Sequence, residues 1–208
     1  MPVECHVCVI DIGKPGKNLG WALSGPSPVD STDLDACIMA VAEALRSGPV
    51  ALGFEAPMFT PIRDNATTLT KARQGEVTGG ISRPFSASAG ATVLVTALVI
   101  VPYVLSRLRD LAPKATATLD WRTPMVGSAD LLLFEAFVTN KQKITDTRHV
   151  EDARLAIAEF QRGMMNPASF ESAVVEARRL NLLGASMLRT GWSIDPVVVG
   201  EECLVVRA

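Results

Sequence analysis

Residues 7–23 read VCVIDIGKPGKNLGWAL: an apolar run, a carboxylate, a turn and a second apolar run. Side chains alternate along an extended chain, so Val7, Val9 and Asp11 share one face while Cys8, Ile10 and Ile12 share the other. Both faces are largely apolar, which predicts a central strand over 7–12, covered on two sides. GKPGKN is rich in turn formers. LGWALS is then expected to return antiparallel, making a hairpin with a longer loop.

The pattern outside this stretch alternates between strand and helix. Leu34, Ile38, Val41 and Leu45 have helical spacing, predicting a helix over 33–46. Thr32 with Asp35 resembles a capping box, and Gly48-Pro49 stops the helix. VALGFE (50–55) reads as a short buried strand ending on a carboxylate, and LLLFEAFV (131–138) as another. Residues 56–91 are rich in Pro, Gly, Ser and Thr, with a short helix expected near 67–73. A segment this long and irregular is expected to be functional, as a mobile rim over a site. The apolar run 91–105 belongs to a helix over 92–109 that Pro102 should kink or divide. Val150, Ala153, Ile157 and Phe160 mark an amphipathic helix, and a further helix is expected over 170–188, broken near Gly184. The tail VVVGEECLVVR predicts one or two short strands. No third antiparallel strand can be placed between Ser24 and Asp33, where Pro26 and Pro28 intervene. The expected organisation is a single α/β domain over 1–208, with a loop and helix insertion at about 56–110.

Composition narrows the function classes. The chain has 208 residues, 48% hydrophobic and 20% charged, which suits one well-packed domain rather than disorder. A net charge of -2 argues against bulk electrostatic coating of nucleic acid, so binding would need a local basic patch. The 15-residue apolar stretch 91–105 is shorter than a membrane span and is expected to be a buried helix; no membrane association is expected. The N-terminal residues lack the pattern of a secretory signal, and a cytoplasmic location is expected. Cys5 and Cys8 form a CxxC without a second pair at metal-site spacing. Residues three apart on a strand face opposite ways, so a structural role is expected.

Three acids stand out by position: Asp11 and Glu55 near the ends of apolar strands, and Asp152 in the first turn of an amphipathic helix. Ligands of open α/β sheets gather beyond the carboxyl ends of strands. Carboxylates delivered there can hold Mg²⁺ or Mn²⁺, and two such ions can activate water and stabilise the leaving oxygen of a phosphodiester. Each acid also has a plainer role open to it. Asp11 could cap the hairpin turn, Glu55 could pair with an arginine, and Asp152 could favour its helix N-terminus.

The pieces CVIDIGKPGKNLGWAL, ALGFEAPMF, LLLFEAF and RHVEDARLAIAEF, in this order, resemble the ribonuclease H-like superfamily, and within it a family of largely uncharacterised predicted nucleases. The resemblance spans most of the chain through about residue 160. It implies a mixed sheet flanked by helices, with Asp on the first strand, an acid at the end of the fourth and Asp on a late helix. The positions carried over are Asp11, Glu55 and Asp152, and the implied activity is metal-dependent hydrolysis of DNA or RNA. Further candidates for the catalytic centre are Glu135 within its apolar strand, Asp146 before the late helix, and His149 one helical turn from Asp152. His149 could assist proton transfer or serve as a polar cap. Lys14, Arg63, Lys71, Arg73 and Arg83, with Lys141, Lys143 and Arg148, could position a phosphate backbone or simply make a mixed-charge surface. GGISRPFSASAGA lacks the P-loop pattern. Two other functions stay open: an ATP-dependent phosphotransferase of the actin and sugar-kinase type, whose first phosphate loop DIGKPGKNLGWAL also resembles, and a non-catalytic binding module. The oligomeric state is open.

Overall fold

A strand that is apolar on both faces must be covered on both, and the computed structural model shows how this chain does it. The structure describes residues 5–78, 81–82, 84–123, 125, 127–138 and 148–208. β1 (His6–Asp11) turns through 13–18 into the antiparallel β2 (Gly20–Leu23), with Asp11 opposite Gly20. A third antiparallel strand does follow: β3 (Val29–Ser31) pairs with β2. It is a short, largely exposed edge strand, so it has no apolar alternation to betray it, and Pro26 and Pro28 sit in the turn ahead of it. α1 (Leu34–Ser47) is capped by Asp33, whose carboxylate accepts from the amides of Asp35 and Ala36. The cap is therefore Asp33, not the expected Thr32. β4 (Val50–Glu55) runs parallel to β1, pairing Val50 with His6 and Glu55 with Asp11.

The segment after β4 is more structured than its composition implies. It contains β5 (Phe59–Pro61), a 3₁₀ turn at Ala66–Thr68, and a small hairpin of β6 (Val77–Thr78) with β7 (Ile81–Ser82). α2 (Ser88–Leu111) then runs 24 residues, with Pro102 inside it and no division there. It is not the fully buried helix expected. Ala97, Ile100, Val101, Val104, Leu105 and Leu108 pack inward, while Val95, Leu98 and Val99 are exposed. By length and composition alone this helix could cross a membrane.

β8 (Ala117–Thr118) and β9 (Leu131–Phe137) follow, and β9 joins β4 in parallel. α3 (Arg148–Gly163) crosses back over β1 and β2. The helix expected over 170–188 is replaced by irregular chain, β10 (Arg179–Asn181) against β5, and α4 (Leu182–Thr190). Asn181 decides this boundary, because its side chain accepts from the amides of Leu183 and Gly184 and starts the helix there. Gly184 does not break α4. A Cβ there would lie 2.1 Å from the Val198 carbonyl, so the glycine permits close packing. β11 (Val205–Arg207) closes the parallel edge.

Among the described residues the main sheet has seven strands, ordered β11-β9-β4-β1-β2-β3, with β8 also on β9. Two cores result. One holds Ile10, Leu52 and Phe54 of the sheet against α1, α2 and α4; the other holds Val7, Val9, Ala51, Leu132 and Phe134 against α3. Phe134 stacks on Phe160 of α3 at 4.5 Å, and Gly53 leaves room for it, since a Cβ there would meet the ring at 2.4 Å. The two cysteines of the CxxC part company, as alternation requires: Cys8 Sγ lies 3.7 Å from Cys37 Sγ, and Cys5 Sγ lies 3.7 Å from the Met125 sulfur. All four cysteines are free thiols.

Candidate metal centre

Alternation along β1 and β4 carries the face of Val7, Val9 and Ala51 forward to Asp11 and Glu55. These two residues are register partners on adjacent parallel strands, so their carboxylates leave the sheet side by side at its carboxyl end. α3 covers the same face and adds Asp152 from its first turns. One carboxylate oxygen from each of the three lies within 4.8 Å of the others. Asp11 is buried; Glu55 and Asp152 are half-buried. At an effective dielectric constant of about 20, unit charges so spaced repel by roughly 3 kcal/mol per pair. The arrangement could therefore hold a metal cation through one oxygen of each carboxylate.

His149 is drawn into the same centre. Its Nδ1 pairs with Asp11 Oδ2, fixing one oxygen of that carboxylate. What lets α3 approach so closely is Gly20, the register partner of Asp11 on β2. A Cβ at Gly20 would lie 2.7 Å from the His149 Cβ and from the Val150 nitrogen. Gly20 was not among the candidates, because its importance depends on a register and a helix position that no local pattern reveals. Asn18 is a second such residue: it lines the cleft, and its side chain accepts from the Lys14 amide at 2.8 Å, bracing the turn. The cleft has a volume of about 200 Å³, and its walls include Ile12, Pro57, Val93 and Phe137. Apolar walls strengthen electrostatic interactions within it.

Glu135 takes no part in this cluster. It pairs in register with Phe54, not Glu55, so it emerges on the other face of the sheet. There Arg73 grips it with two hydrogen bonds, 2.6 and 2.9 Å, and holds Glu76 at 2.8 Å through Nε. All three side chains are fully buried. Burial would lower the Arg73 pKa, but the Glu135 and Glu76 carboxylates more than offset it and keep the guanidinium charged. Glu135 also accepts from the Met58 amide at 2.8 Å, which fixes the chain three residues beyond Glu55. Arg73 is thus an internal strut and is not available to a phosphate backbone.

Arg63 is likewise committed. It binds Glu176 at 2.6 Å and donates to the carbonyls of Thr68, Lys71 and Ala72. Among its described residues, the 56–91 segment lines the cleft through Ala56, Pro57, Ala89 and Gly90, while Arg63 and Arg73 anchor its middle to the body of the domain. Lys14 is exposed on the turn that Asn18 shares with the cleft. Arg83, Asp146, Lys141, Lys143 and the Arg148 side chain lie outside the described residues.

Comparison with protein-family models, with curated proteins and with solved structures finds no match to this chain.

Proposed function

We propose that this chain is a metal-dependent nuclease of ribonuclease H-like fold, hydrolysing phosphodiester bonds of DNA or RNA at Asp11, Glu55 and Asp152. The observation that carries the reading is the convergence of these three carboxylates within 4.8 Å, two from adjacent parallel strand ends and one from a late helix. The element order supports it too. Three antiparallel strands, then a parallel fourth ending on Glu55 and a late helix carrying Asp152, is the arrangement the sequence resemblance implies.

In this reading Asp11, Glu55 and Asp152 hold Mg²⁺ or Mn²⁺. When bound, such a cation activates water and stabilises negative charge on the leaving oxygen. The chain's own contribution is placement. β1 and β4 fix two carboxylates in register, α3 brings the third, and His149 orients Asp11 through Oδ2. Ile12, Pro57, Val93 and Phe137 supply the apolar part of the cleft wall beside the centre.

The test is cleavage of single- and double-stranded DNA and RNA and of branched DNA by the purified chain, with Mg²⁺, Mn²⁺ or a chelator. Cleavage is expected only with the cation, and Asp152→Asn is expected to lose activity on the order of a hundredfold or more. Equal cleavage in chelator, or by Asp152→Asn, would remove the metal mechanism. Binding of nucleic acid without cleavage by any metal would favour a binding module, and ATP turnover in the same preparation would favour the phosphotransferase.

A further inference from the structure

Two stretches of the cleft wall are tied down from beneath. One is Ala56 and Pro57, just after β4; the other is Ala89, Gly90 and Val93, in the first turns of α2. Beside each lies a peptide unit made of a proline carbonyl and the next residue's N–H. The N–H of the first unit, on Met58, donates to Glu135 at 2.8 Å. The N–H of the second, on Phe85, donates to Glu76 at 3.1 Å. The carbonyl of that second unit, on Pro84, accepts from the amide of Ala87, the residue ahead of α2, at 3.3 Å. Gly90 packs on the same carbonyl so closely that a Cβ would lie 2.3 Å from its oxygen.

A buried ionic chain connects the two N–H groups. Glu135 binds the Arg73 guanidinium through both oxygens, at 2.6 and 2.9 Å. Arg73 in turn donates to Glu76 from Nε at 2.8 Å and from its backbone N–H at 2.7 Å. All three side chains are fully buried. One guanidinium faces two carboxylates, so a negative charge is left over inside the protein. Out of water, N–H donors must offset it, and the amides of Met58, Arg73 and Phe85 do so. Bonds to an ionised acceptor are about twice as strong as neutral ones, so the two wall peptides are gripped harder than ordinary loop.

We propose that Glu76 is a positioning residue for the metal cleft, and that the chain Glu135, Arg73, Glu76 fixes the two wall stretches relative to each other. Glu76 acts on the α2 stretch, through the Pro84 and Phe85 peptide and then Gly90. Asp11, Glu55 and Asp152 are carried instead by β1, β4 and α3. For a nucleic-acid strand bound at the metal centre, the reading on which this role rests, Glu76 therefore governs the fit of the substrate and not the capture of the metal.

The test compares Glu76→Gln and Gly90→Ala with the wild-type full chain. Glu76→Gln removes the surplus charge at nearly constant shape and gives up one acceptor oxygen. Gly90→Ala presses a Cβ onto the Pro84 carbonyl without touching a buried charge, and it carries the test should Glu76→Gln fail to fold. In metal-free protein, amide hydrogen exchange over residues 85–93 is expected to speed up by about tenfold in both variants, beyond any change in β1 and β4. Mn²⁺ affinity by calorimetry should stay within about twofold of wild type, while KM for a cleaved oligonucleotide rises by about tenfold and kcat changes by less than about threefold. Exchange over 85–93 that stays at the wild-type rate, or rises only as much as in β1 and β4, would overturn the proposal. So would Mn²⁺ affinity that falls in step with the rise in KM. A wild-type chain that binds no Mn²⁺ and cleaves nothing removes the nuclease reading instead, and the exchange rates then decide by themselves whether Glu76 holds the α2 stretch.

Discussion

At Gly20 a single missing methyl group sets how near α3 comes to the sheet. Gly20→Ala would press a Cβ into the backbone at His149 and Val150, 2.7 Å away, and push the first turn of α3 outward. That turn carries the partner of Asp11, and the next carries Asp152. Gly20→Ala is therefore expected to bind Mn²⁺ about tenfold more weakly in titration calorimetry, a loss of the size seen when supporting contacts of a metal site are disturbed. The carboxylates themselves should behave in the opposite sense without metal. Glu55→Gln or Asp152→Asn removes one of three mutually repelling charges at nearly constant shape, so the metal-free protein should melt at least as high as wild type while metal binding falls. A lowered metal-free melting temperature in both variants would show that these acids are structural partners and not a cation site.

Among the elements, the 56–91 segment shows how irregular chain can be held firmly. Arg73 is a fully buried guanidinium between two fully buried carboxylates from different parts of the chain, and it also donates to the Phe59 carbonyl. Removing it strands two buried negative charges. Arg73→Met is expected to cost about 3–5 kcal/mol in denaturant unfolding, the range for breaking a buried ion pair from one side. Glu135→Gln should also destabilise, and any loss of activity should be accompanied by that loss of stability, because Glu135 lies across the sheet from the acidic centre. A Glu135→Gln variant of unchanged stability but no activity would return Glu135 to the catalytic candidates.

For the whole molecule, the cysteines report on how tightly the layers close. Cys8, Cys37 and Cys203 are buried, and burial pushes the Cys37 and Cys203 thiols well above the ordinary range. Burial raises Cys5 from 9.0 to about 11, with a hydrogen bond to the Ala51 backbone pulling slightly the other way. At pH 8 its thiolate fraction is then about 0.1%, against roughly 10% for an ordinary thiol, so native alkylation should be slow until denaturant exposes the thiols. The linkage has a definite sign. The unfolded Cys5 ionises near 9 and the folded one near 11, so its contribution to stability is intact below pH 9 and is lost as pH rises between these values. Rapid labelling of native protein at pH 8, or stability that climbs above pH 9, would contradict this packing.

The sequence by itself determined what depends on local period and local chemistry. Short apolar runs marked β1, β4 and β9, and placed Asp11 and Glu55 at the ends of buried strands; the 3.6-residue period marked α1 and α3 and put Asp152 near the start of the latter. It did not reveal β3, a three-residue edge strand too exposed to carry a pattern, nor β10, whose strand state comes from pairing with β5 over a hundred residues away. Only the tertiary structure decided which acid faces which core. Glu55 and Glu135 both stand near the ends of apolar strands, yet Glu135 aligns one register position short of Glu55 and emerges on the opposite face. Register is a relation between strands, and a shift of one residue exchanges the two faces. The same holds for Arg73, whose two carboxylate partners make a loop cation into an internal strut, and for α2, whose apolar outer side became visible only when α1 and α4 had covered the inner one.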